Sequence, residues 1–250
     1  MRLSFLFSLL FCFIAFNSLA ECAGNGLYAF PGKGEIKKTS LFVLDGYAES
    51  QHIIEGLNSK YAVYLKSEDE RIPLKVLEIH TGQFNLTQAL LKPEKELIPG
   101  KKYQLIIDNL PDYERWGEYN SKTRKYDPVT YFVLDESDHE APQWIKTPKE
   151  NDKSLVHLGC GPSIHVNFEM SLKENSDYLV KTIVKSIESG RETTYYISAS
   201  KEQITIGHGM CSGAFAFSEG DSFEVKFQVM DASGNTSSET EWIAFTKPTD

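Results

Sequence analysis

Cysteine is scarce in this chain: four among 250 residues. No CxxC and no HxxxH spacing occurs, which removes the usual structural and catalytic zinc frameworks. His157, His165 and His208 lie near the cysteines in sequence; His157 and His165 sit in expected strands, where a strand-surface role is the default. No Gly-x-Ser-x-Gly elbow is present, and no glycine loop leads into a helix to cradle a phosphate; Gly24-x-Gly26 precedes none. Helical periodicity over more than about two turns is missing throughout. Acidic residues are spread along the chain, so no catalytic pair of carboxylates stands out. The residues call for no cofactor, no metal and no catalytic group, and the chain reads as a non-enzyme.

Only one long apolar run exists, and it sits at the start. Arg2 supplies a short positive segment, Leu3 to Phe16 is almost wholly apolar, and small residues precede a cut after Ala20. Residues 1–20 therefore read as a secretory leader, too short for a stable membrane anchor. Lipidation at Cys22 would need a small residue before it, and Glu21 stands there. The expected address is extracytoplasmic: periplasm, cell surface or medium. The formal net charge is −9, and removing the leader takes away one base, Arg2, and no acid, leaving −10. An acidic chain repels nucleic acid and anionic lipid, so neither is expected as a partner. Cys22, Cys160 and Cys211 survive the cut, and export permits a disulfide. Cys160 and Cys211 lie in the same half and are the expected pair. Cys22 is left to be free, to bridge chains, or to take one of these two as partner.

What is present is alternation. Phe223, Val225, Phe227 and Val229 alternate with Glu224, Lys226 and Gln228, the pattern of a half-buried strand. Asp231 to Asn235 then offers a tight reversal with a left-handed position at Gly234. Similar strands are expected at 40–44, 61–66, 71–80, 84–91, 129–135, 154–158, 164–170, 178–187, 193–199, 203–206, 214–217 and 241–245. A short edge strand is expected near Leu27 to Phe30, and residues 50–57 fit either a strand or one helical turn. Leu97 to Ile107 superposes on Phe217 to Phe227 without a gap: a glycine, an aromatic three later and an aliphatic two after that. This is a weak internal repeat at a spacing of about 120 residues, near the size of one sandwich domain.

Leucine, Pro99-Gly100, then Tyr103 opening an alternating strand resembles the penultimate strand of secreted bacterial immunoglobulin-like domains. Phe223 through Asn235 resembles the matching strand and turn of fibronectin-III-like modules. The resemblance covers about a seventh of the chain and implies a fold rather than an activity. It implies an all-β chain of two tandem antiparallel β-sandwiches, the first over 21–138 and the second over 139–250. Phe223 stands where such domains often carry a tyrosine, so the second copy must lack that hydroxyl's bond to the backbone.

Hairpin loops are usually about two to five residues, yet Pro111 to Asp127 separates two strands expected to pair. The insertion carries Tyr113, Trp116, Tyr119 and Tyr126 among charges, and these four are the candidate ligand-binding residues. Loops at the end of a rigid sandwich are where such folds bind. The bland alternative folds the same rings over their own domain or plugs the junction between the two domains. Asp231, Asn235, Asp135 and Asp138 carry oxygens suited to calcium, but Asp-x-x-Gly-Asn is first a turn sequence. Asn85 and Asn235 match the glycosylation sequon. The expected role is non-catalytic binding or adhesion toward an extracytoplasmic glycan or protein. The alternatives are a two-domain periplasmic assembly chaperone lending the edge strand Val129 to Val133, and a hydrolase whose site is assembled by the fold.

Overall fold

The computed structural model describes residues 22–200 and 202–249; the leader expected over 1–20 lies outside them. The described residues are all-β apart from one short helix. The first body holds β1 (Asn25–Phe30), β2 (Gly34–Ile36), β3 (Phe42–Ala48), β4 (Val63–Lys66), β5 (Arg71–Thr81), β6 (Leu86–Pro93), β7 (Lys102–Ile107) and β10 (Thr130–Val133). The ambiguous segment after residue 50 is the helix α1 (Gln51–Glu55), which buries Ile53 and Ile54. The eight strands form one sheet in the order β1-β3-β6-β5-β4-β7-β10-β2. It folds at β5, whose Arg71 to Pro73 pair with β4 while Leu74 onward pairs with β6. Phe42, Leu44, Leu65, Ile72, Leu91, Tyr103, Leu105 and Tyr131 fill the space between the two halves. All neighbours are antiparallel except β2, which joins β10 in parallel.

The second body holds β11 (Gln143–Leu158), β12 (Gly161–Lys173), β13 (Tyr178–Ser186), β14 (Glu192–Ile197), β15 (Gln203–His208), β16 (Ser222–Asp231) and β17 (Ile243–Thr246). These form two sheets, β11-β12-β15 and β14-β13-β16-β17. Phe168, Ile204 and Ile206 meet Val180, Phe223, Val225, Phe227 and Phe245 between them. The architecture is two tandem β-sandwiches, almost wholly antiparallel.

The internal repeat has a structural counterpart. Gly100 and Gly220 both take positive φ, at 75° and 125°. Tyr103 and Phe223, and then Leu105 and Val225, are buried two residues apart in strands flanked on both sides. The Tyr103 hydroxyl accepts the Ile98 backbone N–H at 3.4 Å and donates to Glu70 Oε1 at 2.5 Å. Phe223 has no such oxygen and packs its ring on Phe217 and Phe245 instead. Gly234 takes φ 85°. Asp231 accepts the Ser233 and Asn235 backbone N–H groups, and Asn235 Nδ2 as well. That carboxylate is occupied in closing the turn.

The sandwiches press outer face on outer face. Leu41, Val43 and Leu90 from the first meet Leu179, Tyr196 and Met230 from the second, with Phe30 beside them. β6 is therefore buried on both faces from Thr87 to Leu91. Buried polar groups cross the seam in pairs, as desolvation requires. Gln88 Oε1 accepts the Tyr196 N–H at 3.0 Å, and Gln88 Nε2 donates to the Tyr196 carbonyl at 2.9 Å. Tyr195 donates its hydroxyl to Asp45 at 2.5 Å, and Gln88 Nε2 reaches the same oxygen at 3.0 Å. Further along, Phe84 and Gly213 exchange backbone hydrogen bonds across the seam.

The expected Cys160–Cys211 bridge is replaced by Cys22–Cys211, which spans 189 residues. The docked loops explain it. Asn85 Nδ2 donates to the Cys211 carbonyl, Ala48 N–H to the Asn85 carbonyl, and Glu49 N–H to the Gly24 carbonyl. That relay brings the start of the chain beside the loop after β15. Peptide mapping without reductant should recover a Cys22–Cys211 cross-linked fragment, and a Cys160–Cys211 fragment in its place would refute the assignment.

Burial holds the Asp45 carboxyl up at about 6, from 3.8, against the hydrogen bonds from Tyr195 and Gln88 that favour its ionised form. The folded chain thus binds this proton more tightly than the unfolded one. Its contribution is full below about pH 4 and is lost as pH rises through about 6. Asp45→Asn keeps an acceptor for both donors and removes the titration. Its melting temperature should match wild type near pH 4 and exceed it by a few degrees at pH 7, measured by thermal unfolding across that range.

Candidate functional site

The long insertion folds into a hairpin of its own, β8 (Glu118–Asn120) and β9 (Lys125–Asp127). Asn120 closes it: Oδ1 accepts the Lys122 and Thr123 N–H groups, and Nδ2 donates to Asp127 at 2.9 Å. Gly117 starts it at φ 131°, where a Cβ would stand 2.4 Å from the Asp127 carbonyl oxygen. Only glycine permits that approach.

Between this hairpin and β1 lies a cavity of about 490 Å³, within the usual size range for small-ligand sites. Its walls come from Asn25 to Ala29 on one side and from Glu114 to Tyr119 on the other, with Tyr126 at the hairpin. Tyr119 and Tyr126 are paired across the strands, their ring centroids 5.4 Å apart and tilted by 58°. They remain 58% and 44% exposed. Trp116 packs against the first core and donates its indole N–H to the Leu105 carbonyl at 3.0 Å. It is a wall of the cavity and a lid on the sandwich at once. Tyr113 is half-exposed outside the lining, and its carbonyl accepts Asn25 Nδ2 at 3.4 Å.

The polar part of the lining is fixed in place. Glu118 receives the Lys33 ammonium at 2.7 Å and the Lys33 N–H at 3.1 Å. Burial pushes its carboxyl up, but the Lys33 contacts outweigh that and hold it below the usual glutamate range. Glu114 is buried; its Oε2 accepts the Ser50 hydroxyl at 2.5 Å, and Ser50 Oγ in turn accepts the Gly26 N–H at 2.9 Å. Its Oε1 is shut from solvent and takes no hydrogen bond among the described residues. Through Oε2 and Ser50, Glu114 ties the loop to β1.

Three of the four aromatics singled out from sequence, Trp116, Tyr119 and Tyr126, thus share one cavity. Sequence reasoning missed Tyr28 and Glu114. Tyr28 was legible as the polar-phase aromatic of an edge strand beside buried Leu27. Glu114 gave no signal, because its partner Ser50 lies 64 residues away.

Other candidates fare differently. Among the described residues no group of three or more His, Cys, Asp or Glu could hold a metal ion. Ser163 Oγ and His165 Nε2 stand 3.0 Å apart on β12. No carboxylate reaches the second ring nitrogen among the described hydrogen bonds, so the orienting group of a nucleophile–base pair is not supplied. The strand Val129 to Val133 is not an edge: β10 lies between β7 and β2. Asn235 uses both amide hydrogens, on Asp138 and Asp231. No helix of the described residues is long and apolar enough to cross a membrane.

No protein-family model matches the chain, and no curated protein matches it. Solved structures give distant likenesses. Pullulanase type I from Bacillus subtilis complexed with maltose is 12% identical, with a TM-score of 0.26 over 90% of this chain and 25% of that one. The bacterial S-layer protein rSbsC is 10% identical, with a TM-score of 0.29 over 90% and 26%. The tandem Ig repeats of Dlar are 8% identical, with a TM-score of 0.25 over 89% and 97%. The chain spans about a quarter of the pullulanase length. Likeness at this level carries no argument, and the sandwich architecture stands on strand pairing and burial.

Gly117→Ala should push the start of β8 away from Asp127. The expected outcome is a destabilisation on the order of 1–3 kcal/mol, from forcing a side chain onto a strained backbone, with faster proteolysis confined to residues 111–128. Thermal unfolding and limited digestion check both.

Proposed function

We propose that this chain is an exported, non-catalytic binding module, and that the cavity between β1 and the 111–127 hairpin takes a glycan. The observation that carries this is the pair of exposed, mutually packed rings, Tyr119 and Tyr126, at a cavity walled by Trp116 and Tyr28. A sugar ring has an apolar face ringed by hydroxyls. Aromatic faces meet the first, and Asn25, Arg115 and Glu118 supply hydrogen-bonding groups for the second. Rings left this exposed are costly unless used. The Cys22–Cys211 bridge supports an oxidising compartment, in keeping with the leader expected over residues 1–20. The chaperone alternative loses its specific support, because the strand it would lend is paired on both sides.

Tyr119→Ala and Tyr126→Ala separate recognition from stability, since both rings are largely outside the core. Trp116→Ala does not, because its indole also caps the sandwich. Each tyrosine variant should weaken binding to the best glycan of an array by about tenfold, about 1.4 kcal/mol, with the melting temperature unchanged. Wild-type affinity in both variants would remove the hairpin from consideration.

A further inference from the structure

The first cavity is not closed at β1. On the far side of that strand lies a second cavity of about 360 Å³, and Tyr28 and Ala29 line both. Its opposite wall belongs to the other sandwich: Tyr195, Ile197 and Ser198 at the end of β14, and Thr205 on β15. Asp45 is also in its lining, directly across the β1–β3 register from Tyr28. Among the described residues β1 has β3 as its one sheet neighbour, which leaves its other edge without a strand; the Gly26 N–H is taken by Ser50 Oγ.

This edge is unguarded. Natural sheets blunt an edge with charge, proline, bulges or short strands. β1 runs six residues, Asn-Gly-Leu-Tyr-Ala-Phe, with none of these, and pairs with β3 without a register shift. By contrast β11 carries Lys146, Lys149, Glu150, Asp152 and Lys153 and three register shifts, and β2 is three residues long. The walls of the second cavity are also held at fixed separation. The Tyr195–Asp45 and Gln88–Tyr196 bonds and the Cys22–Cys211 bridge all join the two bodies close to it.

We infer that the two cavities are subsites of one groove, and that the ligand is a linear oligosaccharide which crosses Tyr28 and reaches the second sandwich. This rests on the glycan reading above and adds the length of the ligand and a second body to its recognition. Units in the first subsite meet Trp116, Tyr119 and Tyr126. Tyr28, 62% exposed, offers its ring at the crossing. Further units meet the hydroxyls of Ser198 and Thr205 above an apolar floor of Phe30, Leu179 and Phe215. Ser198 and Thr205 are exposed, so filling the second cavity from either position leaves both cores intact.

The test is calorimetric titration of the full chain with cello-, chito- and malto-oligosaccharide ladders, from disaccharide to hexasaccharide. In the ladder that binds, affinity should rise by about tenfold or more with length, about 1.4 kcal/mol or more. Ser198→Trp and Thr205→Trp should each abolish that rise while the disaccharide binds as in wild type. A disaccharide that binds as tightly as the hexasaccharide, or a rise that survives both tryptophans, overturns the two-subsite groove and leaves the single-cavity reading standing. Silence of all three ladders together with a blank glycan array overturns the glycan reading itself, and the groove with it.

Discussion

The contact on which the rest of the molecule depends is the apolar seam between the two sandwiches. A sheet ordinarily sends one face inward and leaves the other wet. Here β3 and β6 send Phe42, Leu44, Ala89 and Leu91 inward, and Val43 and Leu90 outward against the second body. At about 25 cal/mol per Å² of buried apolar surface, such a seam aligns the bodies firmly. The polar groups trapped in it must then be satisfied exactly where they lie. Gln88 meets both backbone groups of Tyr196, and Asp45 receives Tyr195, so the seam has a register as well as an area.

That seam also shapes what lies around it. Because the bodies are fixed, the space flanking β1 has two stable walls. One is a hairpin that closes on itself through Asn120 and Gly117. The other is the end of β14. Neither wall needs a ligand to form, so little ordering remains to oppose binding. Trp116 belongs to core and cavity at once: one ring seals the first sandwich and lines the space beside β1.

How much of this was legible in the sequence depends on where each interaction runs. The strand at Phe223 and its copy at Tyr103 were readable because alternation and a preceding glycine are local signals, and the turn at Asp231 to Asn235 likewise. Three of the hairpin aromatics were readable because an insertion of that length between paired strands is unusual. What could not be read is whatever depends on the other face of a strand. Val43 and Leu90 look no different from any residue of an apolar run. Tyr28 points to a cavity whose other walls are encoded far downstream. Cysteine spacing reports nothing about which loops dock, so the bridge went to the partner 189 residues away rather than the nearer one. The short helix at Gln51–Glu55 was ambiguous for a related reason: its two isoleucines are explained by the core above them, not by their own period.

The covalent bridge has a mechanical corollary. Tension entering the chain ahead of Cys22 passes through sulfur to Cys211 and bypasses everything threaded between them. The whole first sandwich and β11 to β15 of the second hang in that bypassed loop, under no extension. Only the run from Cys211 to the end, chiefly β16 and β17, takes up the pull. Extension would load β16 and β17 first; because β16 sends Phe223, Val225 and Phe227 into the second core and Met230 into the seam, their yielding would loosen the second sandwich and leave the first folded inside the loop.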